Sequence, residues 1–457
     1  MVFSSLTFLV LFLPVFLLSY FAVPGKFVRV RNYVLLAYSL LFYASGEPVW
    51  VVILVFSGLW DYVIGLHITR YRGKWQSKAL LFLSLCGNLG LLVLLKYGAF
   101  FLSLADISVN FAPTLPIGIS FYTFQTMSYT LDLYKGEVKP QRDPIAFLSY
   151  VAMFPQLVAG PIVRYADIEE RLTERKITAQ AFSDGISRFA AGLGKKVILA
   201  NHAGKIAAEL LGTNAALAST TGVWLGTLMF MFQIYFDFSG YSDMAIGLGK
   251  MIGFSFKENF DHPYISKSIT EFWRRWHISL SSFFRDYVYI PMGGNRRRVV
   301  FNILFVWFLT GLWHGASVNF ILWGMYFGVI LLVEKYVLRR VLQRIPAVFA
   351  HLYSLIIILF GWLIFYNTDL SQLAEFAARF WGASGRMTDQ RTTELLLGNI
   401  WILPVFALFS TKLPARLAGR LRDVLPVSEH IINAALLCTS FVLLIGQSFN
   451  PFIYFRF

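Results

Sequence analysis

Long apolar stretches separated by short polar ones recur from one end of the chain to the other, and they lack the two-residue alternation of half-buried strands. The first is "SSLTFLVLFLPVFLLSYFAV". Runs of similar character predict helical spans near residues 5–24, 32–46, 48–66, 79–98, 115–134, 184–211, 219–240, 299–316, 318–338, 348–366, 396–411 and 430–448. About 18 apolar residues in helix are enough to cross a hydrocarbon core of about 30 Å. "AFLSYVAMFPQLVAGPIV", residues 146–163, is as apolar but carries Pro155 and Pro161 and runs into the cytoplasmic-looking "RYADIEERLTERK", so it reads as re-entrant. Broken backbone at membrane depth is tolerated only where protein or a water-filled cavity surrounds it, which implies a cavity. The predicted fold class is all-α, a polytopic integral membrane protein of about 11–12 transmembrane helices.

Composition agrees. Of 457 residues, 57% are hydrophobic and 14% charged, with mean hydropathy +0.61, outside the range of soluble domains. The net charge of +15 first suggests nucleic acid. However, the basic residues gather in alternate loops, such as Lys26, Arg29 and Arg31, or Lys135, Lys139 and Arg142, and the loops "GEPVW" and "GTNAALASTTG" have none. That asymmetry is the positive-inside signature of a multi-pass protein in a cell membrane with both termini extracytoplasmic, so no nucleic-acid partner is expected. The first span has its positive charges after it, the reverse of a secretory signal, and should be retained. Cys86 and Cys438 sit in apolar runs without metal-ligand spacing and read as packing residues; no metal is expected. No internal repeat or polar linker divides the chain, so residues 1–457 read as one membrane domain.

Residues 257–298, "KENFDHPYISKSITEFWRRWHISLSSFFRDYVYIPMGGNRRR", are too long and aromatic for a connector. Ser268 and Glu271 form a capping box. Beyond it Trp273, Trp276, His277, Leu280, Phe283 and Phe284 recur at helical spacing among Arg274, Arg275, Arg285 and Asp286. Two readings stand. The helix lies in the cytoplasmic interface, arginines near anionic lipid; or it walls the mouth of a cavity, where Gly293 and Gly294 let backbone approach a ligand and Arg296, Arg297 and Arg298 receive phosphates.

"GLWHGAS" places His314 at the end of an apolar run. An ionisable side chain at membrane depth is a functional candidate by default, and a desolvated imidazole stays neutral and available as a base. Gly311 and Gly315 would open space beside the ring, and Trp313 would supply a wall and an N–H. The alternative is a histidine hydrogen-bonding two helices together. A second polar cluster, "QIYFDFSGYSDMAIGLG", sets Asp237, Ser239, Tyr241, Ser242 and Asp243 after an apolar span. It reads either as the lining of a wet interior or as a hydrogen-bonded helix break.

Taken together and in order, "QIYFDFSGYSDMAIG", "FWRRWHISLSSFFRDYVYIPMGGNRRR" and "LTGLWHGASVNFILWG" resemble the membrane-bound O-acyltransferase (MBOAT) family, in its bacterial AlgI/PatA/DltB branch. The resemblance implies a tunnel through the bilayer with His314 as its catalytic histidine and His277 as the second histidine of the branch. It implies Trp313, Asp237, Ser239, Tyr241, Asp243, Arg274, Arg275, Arg285, Arg296, Arg297 and Arg298 around the tunnel or the donor. The implied donor is an acyl-CoA or acyl-carrier protein from the cytoplasm, with acetyl-CoA favoured by the wording "IPMGGNR" and no cofactor bound. The implied partner is an extracytoplasmic acyltransferase of SGNH, AlgJ, AlgX or DltD type. Trp313 N–H and His277 are candidate oxyanion donors.

The chain ends "PFIYFRF", residues 451–457. Aromatics there suit an interfacial belt. The string is also similar to the end of a small peptide of the teichoic-acid D-alanylation system, which would make Tyr454 an acyl relay and imply a Gram-positive type of envelope. From a different class, a transporter or flippase fits the composition equally well.

Overall fold

The computed structural model describes residues 1–98, 100, 102, 116–158, 160–212, 214–383 and 385–446, and every regular element among them is helical. Helices Val51–Arg70, Trp75–Tyr97, Val318–Arg344, Ala347–Tyr366 and Val427–Ile445 are long and apolar enough to cross a membrane. The pair Gln390–Asn399 and Ile402–Phe409 does so jointly with a 63° bend, and Thr7–Ala22 and Val299–His314 are shorter apolar helices. The other predicted spans are helical but more polar. Ile119–Lys135 carries Ser, Thr, Gln and Tyr along its length and buries nearly all of them in protein, so its residues answer to packing partners instead of lipid.

The chain forms two compact units: Met1–Leu193 with Tyr241–Lys257 and Leu444–Gly446, and Gly194–Gly240 with Glu258–Leu443 among the described residues. In the first, a buried polar knot ties three helices. Ser84 Oγ and Asn88 Nδ2 each donate to the Asp61 carboxylate at 2.7 Å, and Ser57 and Thr126 hydroxyls donate to Asn88 Oδ1 at 3.1 and 3.2 Å. The buried carboxylate thus takes a side-chain donor on each of its oxygens. The apolar segment expected to be re-entrant breaks into Pro144–Ala152 and Phe154–Leu157. Its freed groups are satisfied inside protein: Phe154 N–H by Ser39 Oγ at 3.1 Å, and Tyr150 C=O by Gln156 Nε2 at 2.6 Å.

Three expectations are corrected. Thr220–Met251 is one continuous helix of 32 residues, so the polar cluster at 237–243 neither breaks the helix nor faces a wet interior. It is buried, and both of its carboxylates are paired. In the second unit Lys196 Nζ meets Asp237 Oδ1 at 2.7 Å with both side chains 2% exposed or less. In the first unit Arg188 Nη2 meets Asp243 Oδ1 at 2.7 Å, and Tyr241 stacks on Phe3 at 4.5 Å. Cys86 and Cys438 are exposed on outer helix faces and do not pack. The long amphipathic helix expected after Ser268 is broken, as described next.

Candidate active site

All of the following lies in the second unit. Ile269–Arg275 starts at the predicted capping box: Ser268 Oγ accepts the Glu271 N–H at 3.0 Å, while the Glu271 carboxylate reaches back to Lys267 N–H at 3.0 Å. A second acid, Glu334, completes the cap from a distant helix. Its two oxygens accept Ile269 N–H at 2.6 Å, Thr270 N–H at 2.8 Å and the Thr270 hydroxyl at 2.6 Å. A buried carboxylate on a helix N-terminus is favoured by both hydrogen bonding and the helix dipole. Replacing it with an amide removes the charge and one good acceptor. Glu334→Gln is expected to destabilise by about 1.5–3 kcal/mol, read as a lower melting temperature in detergent, with Glu334→Asp recovering part of the loss.

The helix ends at Trp276, and His277 takes φ +45° before Ile278–Phe284 resumes. A left-handed histidine costs of order 1–3 kcal/mol and persists only where its surroundings fix it. Asn259 does so. Its C=O accepts Ile278 N–H at 2.9 Å, and its Oδ1 accepts the Ser279 N–H at 3.2 Å and hydroxyl at 2.8 Å. The same Oδ1 lies 3.1 Å from His277 Nδ1. Because a backbone N–H identifies that oxygen as the acceptor, His277 Nδ1 is assigned the proton and Nε2 the lone pair. His277 is 1% exposed, and Nε2 has no hydrogen-bond partner among the described residues. Burial pushes this imidazole well below its ordinary pKa, so it is neutral at physiological pH. In this tautomer it offers a lone pair, so it is not the oxyanion donor considered from sequence.

His314 ends the helix Val299–His314. Its ring is 6% exposed and lies edge-on to Trp313, Trp323 and Phe365, with centroids at 4.9, 4.9 and 5.1 Å. Trp313 also packs against His277 at 5.7 Å and so touches both histidines. The glycines do not open space beside His314. A Cβ at Gly311 would lie 2.3 Å from Phe320 O, one at Gly315 would lie 2.4 Å from the Phe320 ring, and one at Gly324 would lie 2.2 Å from Trp307 O. They let helices 299–314 and 318–333 press together, as small residues do in membrane bundles.

A cavity of about 800 Å³ brings the two histidines together. His277 and His314 are buried in its lining, as are Trp276, Thr310 and Glu334, with Trp273 and Trp307 half-buried and the cations Lys267, Arg274, Arg285, Lys335 and Arg339 exposed. Of the predicted residues, His277, His314, Arg274 and Arg285 line it. Trp313, Asp237, Ser239, Tyr241, Asp243, Arg275, Arg296, Arg297 and Arg298 do not. Arg275 is committed to Glu271 at 2.9 Å and Asp261 at 2.7 Å. Gly293 and Gly294, at φ +107° and +53°, turn the "GGNRRR" loop back over the next helix. There Asn302 Nδ2 holds the carbonyls of Gly294 and Arg297 at 3.0 and 2.7 Å. Arg296–Arg298 are exposed and do not line the cavity, although Asn295 of the same loop does.

Sequence reasoning missed Lys335, Arg339, Glu334, Asn259 and the indole of Trp273, whose Nε1–H is buried and without a hydrogen-bond partner among the described residues. For Lys335 and Arg339 a signal existed, a basic cluster after an apolar span; for Asn259 and Glu334 none did. Asn259→Ala releases the His277 tautomer and orphans Ser279 N–H. It is expected to cost about 1–3 kcal/mol of transition-state stabilisation, roughly 5- to 150-fold in kcat, with KM little changed.

Two buried imidazoles in a cation-rimmed cavity of a multi-pass helical membrane protein are a fitting apparatus for transfer of a group from an anionic carrier. Residues 137–368 match the model of the MBOAT, membrane-bound O-acyltransferase family, and the chain belongs to that family of acyltransferases. It is 39% identical to the probable alginate O-acetylase AlgI of Pseudomonas putida with all of both chains covered. It is 32% identical to the peptidoglycan O-acetyltransferase of Helicobacter pylori over 84% of this chain and 80% of that one. With the teichoic acid D-alanyltransferase of Bacillus subtilis it shares 31% over 47% of this chain and 58% of the other.

Proposed function

We propose that this acyltransferase moves an acetyl group from acetyl-CoA at the cytoplasmic face to an extracytoplasmic acceptor, for O-acetylation of a cell-envelope or secreted polysaccharide. The observation that carries the reading is the single cavity lined by both His277 and His314 and by five cations. Arginine and lysine there suit the donor's phosphates. An acceptor hydroxyl attacks the thioester carbonyl while His314 takes its proton. Collapse of the tetrahedral adduct breaks the C–S bond, and the imidazolium returns the proton to the departing thiolate, leaving an ester and free CoA. The Nε2 lone pair of His277 accepts a hydrogen bond from a different N–H or O–H of the bound substrates and so helps to orient them, and Trp273 Nε1–H is a donor for the developing oxyanion. Acetyl is preferred over D-alanyl because the acetylases combine identity with coverage, 39% over all of the chain and 32% over 84%, whereas the D-alanyltransferases reach 31% over 47% of it or 26% over 72%. Membership of an acyltransferase family leaves a transporter without support.

Under this reading the protein sits in the cell membrane with both termini outside, and an SGNH-type partner receives the group there. Tyr454, which lies outside the described residues, serves as a relay. A phenol of pKa about 10 forms a more activated ester than a sugar hydroxyl does. The test is thiol release from acetyl-CoA by purified protein, beside D-alanyl carrier protein as donor, with mass spectrometry of the C-terminal peptide. Acetyl-CoA turnover and an acetylated Tyr454 are expected. Use of the D-alanyl carrier alone would overturn the donor assignment, and full polymer acetylation by Tyr454→Phe would remove the relay.

A further inference from the structure

A second cavity, of about 640 Å³, lies in the first unit, lined by Phe21, Gly25, Lys26, Val28 and Arg31 on one side and residues 173–177 on the other. It contains four cations, Lys26, Arg31, Arg175 and Lys176, and one acid, Glu174. Two of those cations are buried: Arg31 is 7% exposed and Arg175 5%. Neither forms an ion pair with a carboxylate among the described residues.

Both guanidiniums are held in place by neutral groups. Arg31 Nε and Nη2 donate to Val23 O at 3.0 and 2.9 Å. Arg175 Nη2 donates to Asn32 Oδ1 and, at 3.4 Å, to Val28 O. The Tyr20 ring has Arg31 at 5.1 Å and Arg175 at 5.8 Å, and Phe254 lies 4.7 Å from Arg175. The remaining Arg175 donors, Nε and Nη1, are buried against these rings with no hydrogen-bond partner among the described residues. Buried charges are normally paired, and uncompensated like charges side by side are costly. Four cations against one acid around one pocket, two of them buried guanidiniums with no carboxylate partner among the described residues, call for an oxyanion, and phosphate is the closest match to guanidinium.

We propose that this pocket binds a phosphate group, that of an anionic phospholipid whose chains lie along the neighbouring helices. The lipid source is favoured by the surroundings. Leu18 and Phe21 at the end of the first helix, and Phe27, Val30 and Tyr33 at the start of the next, are exposed apolar or aromatic groups beside the cations, the arrangement of a membrane interface. A free phosphate shares the same recognition chemistry and would bind the guanidiniums without using those side chains.

The experiment uses the full-length protein, delipidated in neutral detergent and returned to nanodiscs of phosphatidylcholine alone or with phosphatidylglycerol, read by native mass spectrometry and melting temperature. Phosphatidylglycerol is expected to stay bound and raise the melting temperature, with Arg175→Gln weakening retention at least about tenfold. Lys26→Gln with Lys176→Gln, at exposed rim positions that hold no part of the fold, covers the case in which the buried substitution prevents folding and should weaken retention in the same direction. A parallel arm supplies inorganic phosphate or glycerol phosphate. Equal stabilisation by these, lost in the same variants, would keep the phosphate site and assign it to a soluble ligand. Equal behaviour of the two lipids together with no response to phosphate, or retention unchanged in both variants, would overturn the proposal.

Discussion

His314→Ala loses acetyl transfer by about 10²- to 10⁴-fold, the usual worth of a general base, while donor KM changes little. The asymmetry follows from placement. The cations that suit the donor's phosphates, Lys267, Arg274, Arg285, Lys335 and Arg339, are exposed outer residues of the cavity, whereas His314 is a buried one. Truncating the ring removes a proton acceptor without touching the charges. It also leaves a gap among Trp313, Trp323 and Phe365, so folding must be checked by melting temperature. His314→Gln, which fills more of the space but has no basic nitrogen, should be as inactive. Steady-state thiol release from acetyl-CoA measures both parameters, and a variant with raised KM and unchanged kcat would reassign His314 to binding.

The second large effect concerns stability. Asp237→Asn leaves Lys196 charged and fully buried without its carboxylate, a change that costs about 3–5 kcal/mol. The pair is 2.7 Å apart and both side chains are nearly inaccessible, so solvent cannot compensate. Replacing both residues together, Lys196→Met with Asp237→Leu, removes the charges as a set and should recover most of the loss, since well-packed apolar pairs often equal a buried ion pair. Thermal unfolding in detergent of the unsubstituted protein, Lys196→Met, Asp237→Leu and the double variant gives the coupling energy. Near-additive effects would mean that the pair is not energetically linked. Neither residue lines the cavity, so any activity loss should follow the loss of folded protein.

Much of this arrangement was legible in the sequence, and the parts that were not share a cause. Apolar runs located the helices because burial in lipid or protein imposes the pattern locally; the run predicted at 299–316 is the helix 299–314. The capping box at Ser268 and Glu271 was readable for the same reason, as its partners are three residues apart. The polar stretch at 237–243 was misread because what satisfies it, Lys196 and Arg188, comes from more than 40 residues upstream. Likewise, nothing between Ser268 and Phe284 announces the break at His277. It is imposed by Asn259, 18 residues away. Gly311 and Gly315 were correctly singled out as special but given the wrong neighbour, since Phe320 belongs to the next helix. His314 stood out because an intramembrane setting is costly for imidazole wherever the rest of the chain lies, whereas His277 was singled out by the family resemblance; both line one cavity.

The central claim is that an acyl group meets buried imidazole in this cavity and continues outward while its carrier stays behind. Proteoliposomes given acetyl-labelled, CoA-labelled acetyl-CoA on one face only, with an oligosaccharide acceptor and any required partner on the other, test it directly. Acetyl label on the far acceptor, with all CoA label remaining on the donor side and no transfer by His314→Ala, is the predicted result. Product confined to the donor side, or CoA recovered on both sides, would contradict it.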